Sequence, residues 1–424
     1  MRSREPMGIV DTAWLHMDRP KNTADVVAML SLAEPMGLAR ARRLVEERLL
    51  PLARFRQCVV GNGVFGGAAW ENDRRFSVDR HVVRRRLRRG GAAALQELVG
   101  EVATEPLDFS RPPWRMVLAD GFGEGSAIVV KIHHCVADGF ALVGVLLSLA
   151  DERGGEQPPA RRAPSYRDLA FGAGDLARHA ASFAGSLARM VALPSDPGTI
   201  LKRPLSGLRH AAWSGGVPLA RLQEAAHGRG ATVNDLLVAA LTGALRGHLA
   251  AEGEPVNRMD VRALLPVNLR PPGVFGPGLG NRFGLVFLEL PVHARTAASR
   301  LRSVRARMGE LKGSPDAVVT HAVLGALGAM PRTAEQPITD FFTQKASLVV
   351  TNLPGPKRHL HLAGDRIDNV MFWVPHPALL GVGVSILSYA GEVRIGVRAD
   401  AAVMPDPADL VTRFGGELRA LGAA

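Results

Sequence analysis

Ser126-Ala-Ile-Val-Val-Lys-Ile-His-His-Cys-Val-Ala-Asp-Gly139 is a β-branched apolar run that ends abruptly in two histidines and an Asp-Gly pair. Such a run reads as a buried strand that delivers polar groups into an interior. The apolar stretch from Phe140 to Ala150 reads as a helix, so the chain bends near Gly139. His134 and Asp138 stand four positions apart, a spacing that suits one base and one orienting acid. An imidazole takes a proton from a hydroxyl near neutral pH only when its tautomer and ring position are fixed, and a nearby carboxylate can fix both. Successive side chains on an extended chain point to opposite faces, so His133 and His134 are expected to face different surroundings, with one of them as base. The alternative is that both histidines are core residues and Asp138 caps the next helix.

Around this stretch the chain divides into residues 1–151, a linker with a crossover helix over 152–212, and residues 213–424. The first part is mixed. Its pattern predicts a helix from Leu38 to Leu50, extended chain from Val78 to Val83 and a helix from Ala92 to Thr104. Glu152 to Pro164 is rich in Pro, Gly and charge and reads as a surface linker. Tyr166 to Leu193 has helical spacing, and Pro194 to Trp213 reads as irregular. In the last part, apolar residues from Val233 to Leu245 keep a helical period behind Thr232, an N-cap with Asp235 three residues on. That pairing gives Asp235 a structural role and leaves Asn234 open, because a side-chain amide at a helix start can donate to a carbonyl oxygen. Gly381 to Ala390 and Glu392 to Asp400 alternate across Gly391 and read as a hairpin.

With 424 residues and 47% hydrophobic content the chain can bury a large core. Two cysteines, Cys58 and Cys135, exclude a disulfide framework, and no spacing resembles a metal site. Cys135 adjoins His134, but neighbours on extended chain point apart, so it reads as a small buried hydrophobe. The start, Met1-Arg-Ser-Arg-Glu-Pro, lacks the apolar core of a signal peptide, and no apolar stretch reaches the roughly 18 residues that span a bilayer, so a cytoplasmic location is expected. The net charge of +12 is partly concentrated in Arg80-His-Val-Val-Arg-Arg-Arg-Leu-Arg-Arg89. That cluster is either a solvated face, a patch for anionic lipid headgroups, or one for coenzyme A phosphates. Nucleic acid is the poorer fit: aromatics make up 5% of the chain, and none interleaves the cluster to stack on bases.

His133-His-Cys-Val-Ala-Asp-Gly139 resembles the His-His-x-x-x-Asp-Gly motif of the bacterial wax ester synthase/diacylglycerol acyltransferases. Further blocks follow in family order: Asp11 to Pro20, Pro106 to Trp114, Thr232 to Ala240, Leu265-Pro-Val-Asn-Leu-Arg270, Asn352-Leu-Pro-Gly-Pro356 and Ala363-Gly-Asp365. Two departures stand out. Asn22-Thr-Ala-Asp25 occupies the place of a usual Pro-Met-His segment, and Pro112-Pro113-Trp114 that of Pro-Leu-Trp. They bear on acceptor preference and pocket shape more than on the reaction.

The resemblance implies an α/β fold of two mixed-sheet, chloramphenicol-acetyltransferase-like subdomains, with the active site and a substrate tunnel at their interface. It implies direct acyl transfer from acyl-CoA, a co-substrate and not a resident cofactor, to a long-chain alcohol or diacylglycerol. In that reading His134 is the general base, Asp138 holds loop and ring through an arginine the sequence does not identify, Gly139 allows the bend, and His133 supports. Asn234 is the candidate oxyanion donor, while Asn352, Pro354 and Gly355 form a stiff turn that shapes the acceptor channel or is purely structural. No metal is expected. The enzyme would rest peripherally on a membrane or lipid droplet. Rival readings are a natural-product transferase with a carrier-protein donor and a silent lipid-binding relative.

Overall fold

The run at 126–133 forms the strand Gly125–His133, hydrogen-bonded along both edges. Asp25–Leu32 pairs antiparallel on one side, with Asp25 opposite His133, and Trp114–Phe122 pairs antiparallel on the other. Ile128 and Val129 are 1% and 0% exposed, so both faces of the strand are covered, and the apolar run needs no alternation. Lys131 is the exception; its buried ammonium meets Asp25 Oδ2 at 2.9 Å and donates to Ala103 O at 3.1 Å. The computed structural model describes residues 4–61, 67–88, 90–151, 173–270 and 279–423.

Among the described residues the first sheet has six strands, in the order His361–Leu362, Asp365–Trp373, Asp25–Leu32, Gly125–His133, Trp114–Phe122, Val82–Arg86. The second has seven: Phe283–Leu290, Val261–Asn268, Leu348–Pro354, Val382–Tyr389, Glu392–Asp400 and Arg209–Trp213, with Val217–Pro218 added beside Glu392–Asp400. The sheets do not follow the linear division of the chain at 151 and 212. Asp365–Trp373 crosses into the first sheet to pair with Asp25–Leu32, and Arg209–Trp213 closes the edge of the second. The halves are also bonded directly: Arg398, 1% exposed in the second sheet, donates to Asp25 O in the first at 3.0 Å.

Large buried tryptophans, Trp70, Trp114 and Trp373, anchor the core of the first sheet. The helices Val233–Ala251 and Pro407–Ala420 pack on each other and share a second core with the other sheet. A small cluster of Trp14, Phe283, Leu324 and Leu327 lies at the helix Ile9–His16. That helix comes close to Asp316–Gly328 because Gly328 has no side chain; a Cβ there would stand 1.7 Å from Ile9 O. This close approach seats Trp14 beside His134.

Ala92–Thr104 forms the helix the spacing predicts, and Thr232 and Asp235 form the capping box of Val233–Ala251. The hairpin Val382–Tyr389/Glu392–Asp400 turns through Ala390 and Gly391, both at positive φ. Other expectations change. Val78–His81 is one helical turn, and the strand starts only at Val82, where parallel pairing with Trp114–Phe122 begins. Leu38–Leu44 is α-helical and continues as a π-helical turn, Val45–Leu49. Arg209–Trp213, expected to be irregular, is a strand because Glu392–Asp400 offers it an open edge. The crossover helix is Ala173–Ala192; the linker 152–164 and the first residues of the expected helix lie outside the described residues.

Candidate active site

His134 lies one residue past the strand, with its N–H donating to Ala24 O at 2.8 Å. The side chain is clamped by aromatics: its ring stacks on Trp14 at 4.0 Å between centroids and meets Phe283 edge-on at 5.6 Å. Together with Leu264, Pro266, Thr351, Leu353 and Pro377 these residues line a cavity of about 50 Å³, mostly apolar and contributed by both halves. That volume has room for a few waters. Burial, and then the adjoining His133, push the His134 imidazole down to about 3, so it is neutral at physiological pH and keeps a lone pair for a proton.

His133 faces the other way, as strand alternation requires, and does not line the cavity. It is fully buried, its Nδ1 accepts from the Cys135 N–H at 3.2 Å, and its Nε2 stands 3.5 Å from Asp18 Oδ1. Cys135 is 1% exposed, and burial pushes its thiol up, away from nucleophilic thiolate.

Both alternatives for Asp138 meet in one carboxylate. Oδ1 caps the helix Gly139–Leu149 by accepting from Ala141 N at 3.0 Å. Oδ2 accepts from Arg270 Nη1 at 2.5 Å and from Arg282 N at 3.0 Å. Arg270, the last residue of Leu265-Pro-Val-Asn-Leu-Arg270, is therefore the arginine the sequence could not identify, and its Nη2 continues to Gly280 O at 2.7 Å. Gly139 needs no left-handed backbone. It lines the cavity, and a Cβ there would come within 3.0 Å of Leu353 Cδ1, so close approach rather than bending is what its lack of a side chain permits.

The loop is stitched to the second half at two further points: Ala137 bridges Gly280, and Asn281 Nδ2 donates to His134 O at 2.8 Å. The same amide donates to Asp11 Oδ1 of the helix Ile9–His16 at 2.8 Å. Asn281 N also donates to Asp11 Oδ1, at 2.9 Å, and burial pushes the Asp11 carboxyl up to about 6. Sequence reasoning missed Asn281. Its one signal was a lone amide in Gly280-Asn-Arg-Phe-Gly284, and no spacing rule ties that segment to residue 134.

Asn234 and Asn352 are brought together, Asn352 Nδ2 donating to Asn234 Oδ1 at 2.9 Å, but neither lines the cavity at His134. On Leu348–Pro354 it is Thr351 and Leu353 that face the cavity, so alternation turns Asn352 to the opposite side. Pro354 is exposed, and Gly355 N donates to Ser388 O at 2.9 Å, tying the strand end to its neighbour. Among the described residues no group of three His, Cys, Asp or Glu could hold a metal ion.

A neutral histidine at the seam of two mixed sheets, facing an apolar cavity contributed by both, defines a transferase of the two-lobed acyltransferase class. Residues 7–170 match the wax ester synthase/diacylglycerol acyltransferase catalytic domain and residues 279–422 the WS/DGAT C-terminal domain. The chain belongs to this family and is an acyltransferase. A Mycobacterium tuberculosis (strain H37Rv) protein named as a probable diacylglycerol O-acyltransferase is 29% identical over 396 residues, covering 86% of this chain and 83% of its own. The solved wax ester synthase/diacylglycerol acyltransferase from Marinobacter aquaeolei VT8 superposes with a TM-score of 0.73 at 20% identity, over 98% of both chains. The first condensation domain of the calcium-dependent antibiotic synthetase superposes with a TM-score of 0.63 at 16% identity, over 100% of this chain and 97% of that one. At these identities the two structures show the shared fold.

Proposed function

We propose that the protein moves an acyl group from acyl-CoA to the hydroxyl of a long-chain alcohol or diacylglycerol, forming wax ester or triacylglycerol without an acyl-enzyme. The observation that carries the reading is His134, neutral and clamped between Trp14 and Phe283 at the wall of an apolar cavity. His134 takes the proton as the acceptor oxygen attacks the thioester carbonyl. The tetrahedral intermediate collapses, the carbon–sulfur bond breaks, and the coenzyme thiolate leaves with that proton. The oxyanion needs a donor. Among the described residues that line the cavity, Thr351 is the only Ser or Thr, which favours it over Asn234. Asn352, Pro354 and Gly355 then shape the end of the strand that carries Thr351 and Leu353.

Among the described residues no helix is long and apolar enough to cross a membrane. Lipid acceptors reside in membranes and droplets, so the reading includes peripheral contact through the basic segment at 80–88. The decisive experiment follows thiol release and ester formation from acyl-CoA with long-chain alcohol or diacylglycerol. His134→Ala should lower kcat by roughly 10²–10⁴-fold at an unchanged melting temperature, with His133→Ala milder. Near-normal turnover by folded His134→Ala sinks the mechanism. Turnover only with a carrier-bound acyl group, or none with any donor, would favour the rival readings.

A further inference from the structure

The reading of His134 as base leaves one requirement unmet: something must hold its proton on Nδ1, so that Nε2 keeps a bare lone pair. Asp138 does not do this, because both its oxygens serve Ala141, Arg270 and Arg282. Asp18 lies at His133. We propose that Asn281 is the positioning residue that sets the tautomer of His134, its Oδ1 accepting the Nδ1 proton. The proposal rests on His134 acting as the base.

Asn281 is 6% exposed, and its Nδ2 has two hydrogens, one directed at Asp11 Oδ1 at 2.8 Å and one at His134 O at 2.8 Å. Flipping the amide would set Oδ1 against a carboxylate oxygen and a carbonyl oxygen, so its orientation is fixed. Oδ1 is then an obligate acceptor, and among the described residues it is buried without a partner. His134 Nδ1 is in the same condition. Buried polar atoms are nearly always paired, and these two belong to residues already joined by one hydrogen bond. A neutral imidazole carries one N–H, and placing it on Nδ1 meets Oδ1. Placing it on Nε2 would set two lone pairs against each other and deprive the acceptor of its base. The Asn281 side chain also acts on the ring as a hydrogen-bonding neighbour that favours the protonated form against burial, ahead of the ring's own backbone carbonyl, which acts in the same direction. Asp11 completes the arrangement by holding both the backbone and the side-chain N–H of Asn281.

The test reads the tautomer directly. In protein labelled with ¹⁵N-histidine, long-range proton–nitrogen correlations distinguish protonated from bare ring nitrogens, and His134 is identified as the pattern lost in His134→Gln. The expected result is a protonated Nδ1 and a bare Nε2 in the wild type. In Asn281→Ala, checked by its melting transition, His134 should become a mixture of both tautomers. Its kcat should fall by roughly 10–10²-fold, part of the general-base effect, with KM for acyl-CoA unchanged within about twofold. A protonated Nε2 in the wild type overturns the proposal, and so does an unchanged His134 pattern in folded Asn281→Ala. If Asn281→Ala does not fold, the wild-type spectrum alone decides. Full turnover by His134→Gln would instead remove the base reading and leave the tautomer measurement standing.

Discussion

Arg270 reaches Asp138 across 132 residues of chain, Nη1 to Oδ2 at 2.5 Å, with both side chains less than a tenth exposed. The pair fastens the loop that carries His134 to the second sheet, and Arg270 passes the connection on to Gly280. Removing one partner of a buried ion pair strands the other charge, which costs about 3–5 kcal/mol, whereas removing both costs less. Asp138→Asn should therefore unfold at lower denaturant, by an amount in that range, and Asp138→Asn with Arg270→Met should recover part of the loss. Asp138→Glu should not rescue activity, because the longer side chain displaces a carboxylate that has three partners in place. Equilibrium unfolding checks this; a single-variant cost below about 1 kcal/mol would mean that the pair does not hold the loop.

The pH behaviour of two groups can be separated. His134, pushed down to about 3 by burial and then by His133, is in its base form above that pH, so it puts no inflection near 6.5 into kcat/KM of the free enzyme. Asp11 is pushed up to about 6 by burial, and the folded chain therefore holds its proton more tightly than the unfolded chain does. This group's contribution to stability falls as pH rises from about 4 to about 6, by on the order of 3 kcal/mol. Asp11→Asn should flatten that part of the stability profile and remove any activity limb near 6. An inflection near 6 that survives Asp11→Asn would belong to His134 and contradict its low value.

What the sequence showed was local. Gly125–His133 is an apolar run, Ala92–Thr104 has a helical period, and Thr232 with Asp235 is a cap whose two halves lie three residues apart. What it hid was pairing at a distance. Arg209–Trp213 has no alternation and becomes a strand through Glu392–Asp400, with Arg209 ion-paired to Asp400. Asp365–Trp373 reads like any strand, and nothing in its own residues assigns it to the other half's sheet. His133, His134 and Asp138 could be read because a compact motif carries them, whereas Arg270 and Asn281 act only through contacts that close when the halves meet. Asn234 misled because a helix start suggests a donor, yet the strand opposite presents Thr351 and not Asn352 to the cavity.

Thr351→Val keeps the shape of the side chain and removes the hydroxyl. If that hydroxyl stabilises the oxyanion, kcat should fall by about 10²-fold with KM for acyl-CoA and thermal stability nearly unchanged. Steady-state kinetics with one acceptor at saturation would show it, and an unaltered kcat would return the role to another donor.

Asn22 stands at one of the two departures from the family pattern. It is 1% exposed; its Nδ2 donates to His376 O at 2.6 Å and Ala378 O at 2.8 Å, and its Oδ1 accepts from Arg209 at 2.9 Å. It thereby clamps the segment whose Val374, Pro375 and Pro377 line the cavity. Asn22→Ala leaves these groups unpaired at about 1–3 kcal/mol each, so the melting temperature should drop. The KM for long acceptors should rise while kcat on a saturating short alcohol is kept. An unchanged acceptor series in a folded variant would detach the clamp from specificity.

The basic segment is smaller in effect than its composition suggests, because part of it is neutralised. Arg84 pairs with Asp120, and Arg85 with Glu101 and Glu105. Arg80, Arg86 and Arg88 are exposed and have no ion pair among the described residues. Arg86 lies on Val82–Arg86, the edge strand of the first sheet, with Arg88 just beyond it and Arg80 in the helical turn before it. Each free arginine near an anionic surface contributes roughly 1 kcal/mol, and the attraction fades as salt shortens the Debye length to about 8–10 Å. The protein should therefore sediment with anionic liposomes at low salt and not with neutral ones. Changing Arg80, Arg86 and Arg88 to Gln should weaken this more than changing Arg84 and Arg85, because the last two already spend their charge on carboxylates. kcat on a short soluble alcohol should stay the same in both variants. Equal binding to neutral and anionic liposomes would leave the segment a solvated face, and a raised KM for acyl-CoA in the triple variant would assign its charge to the coenzyme phosphates.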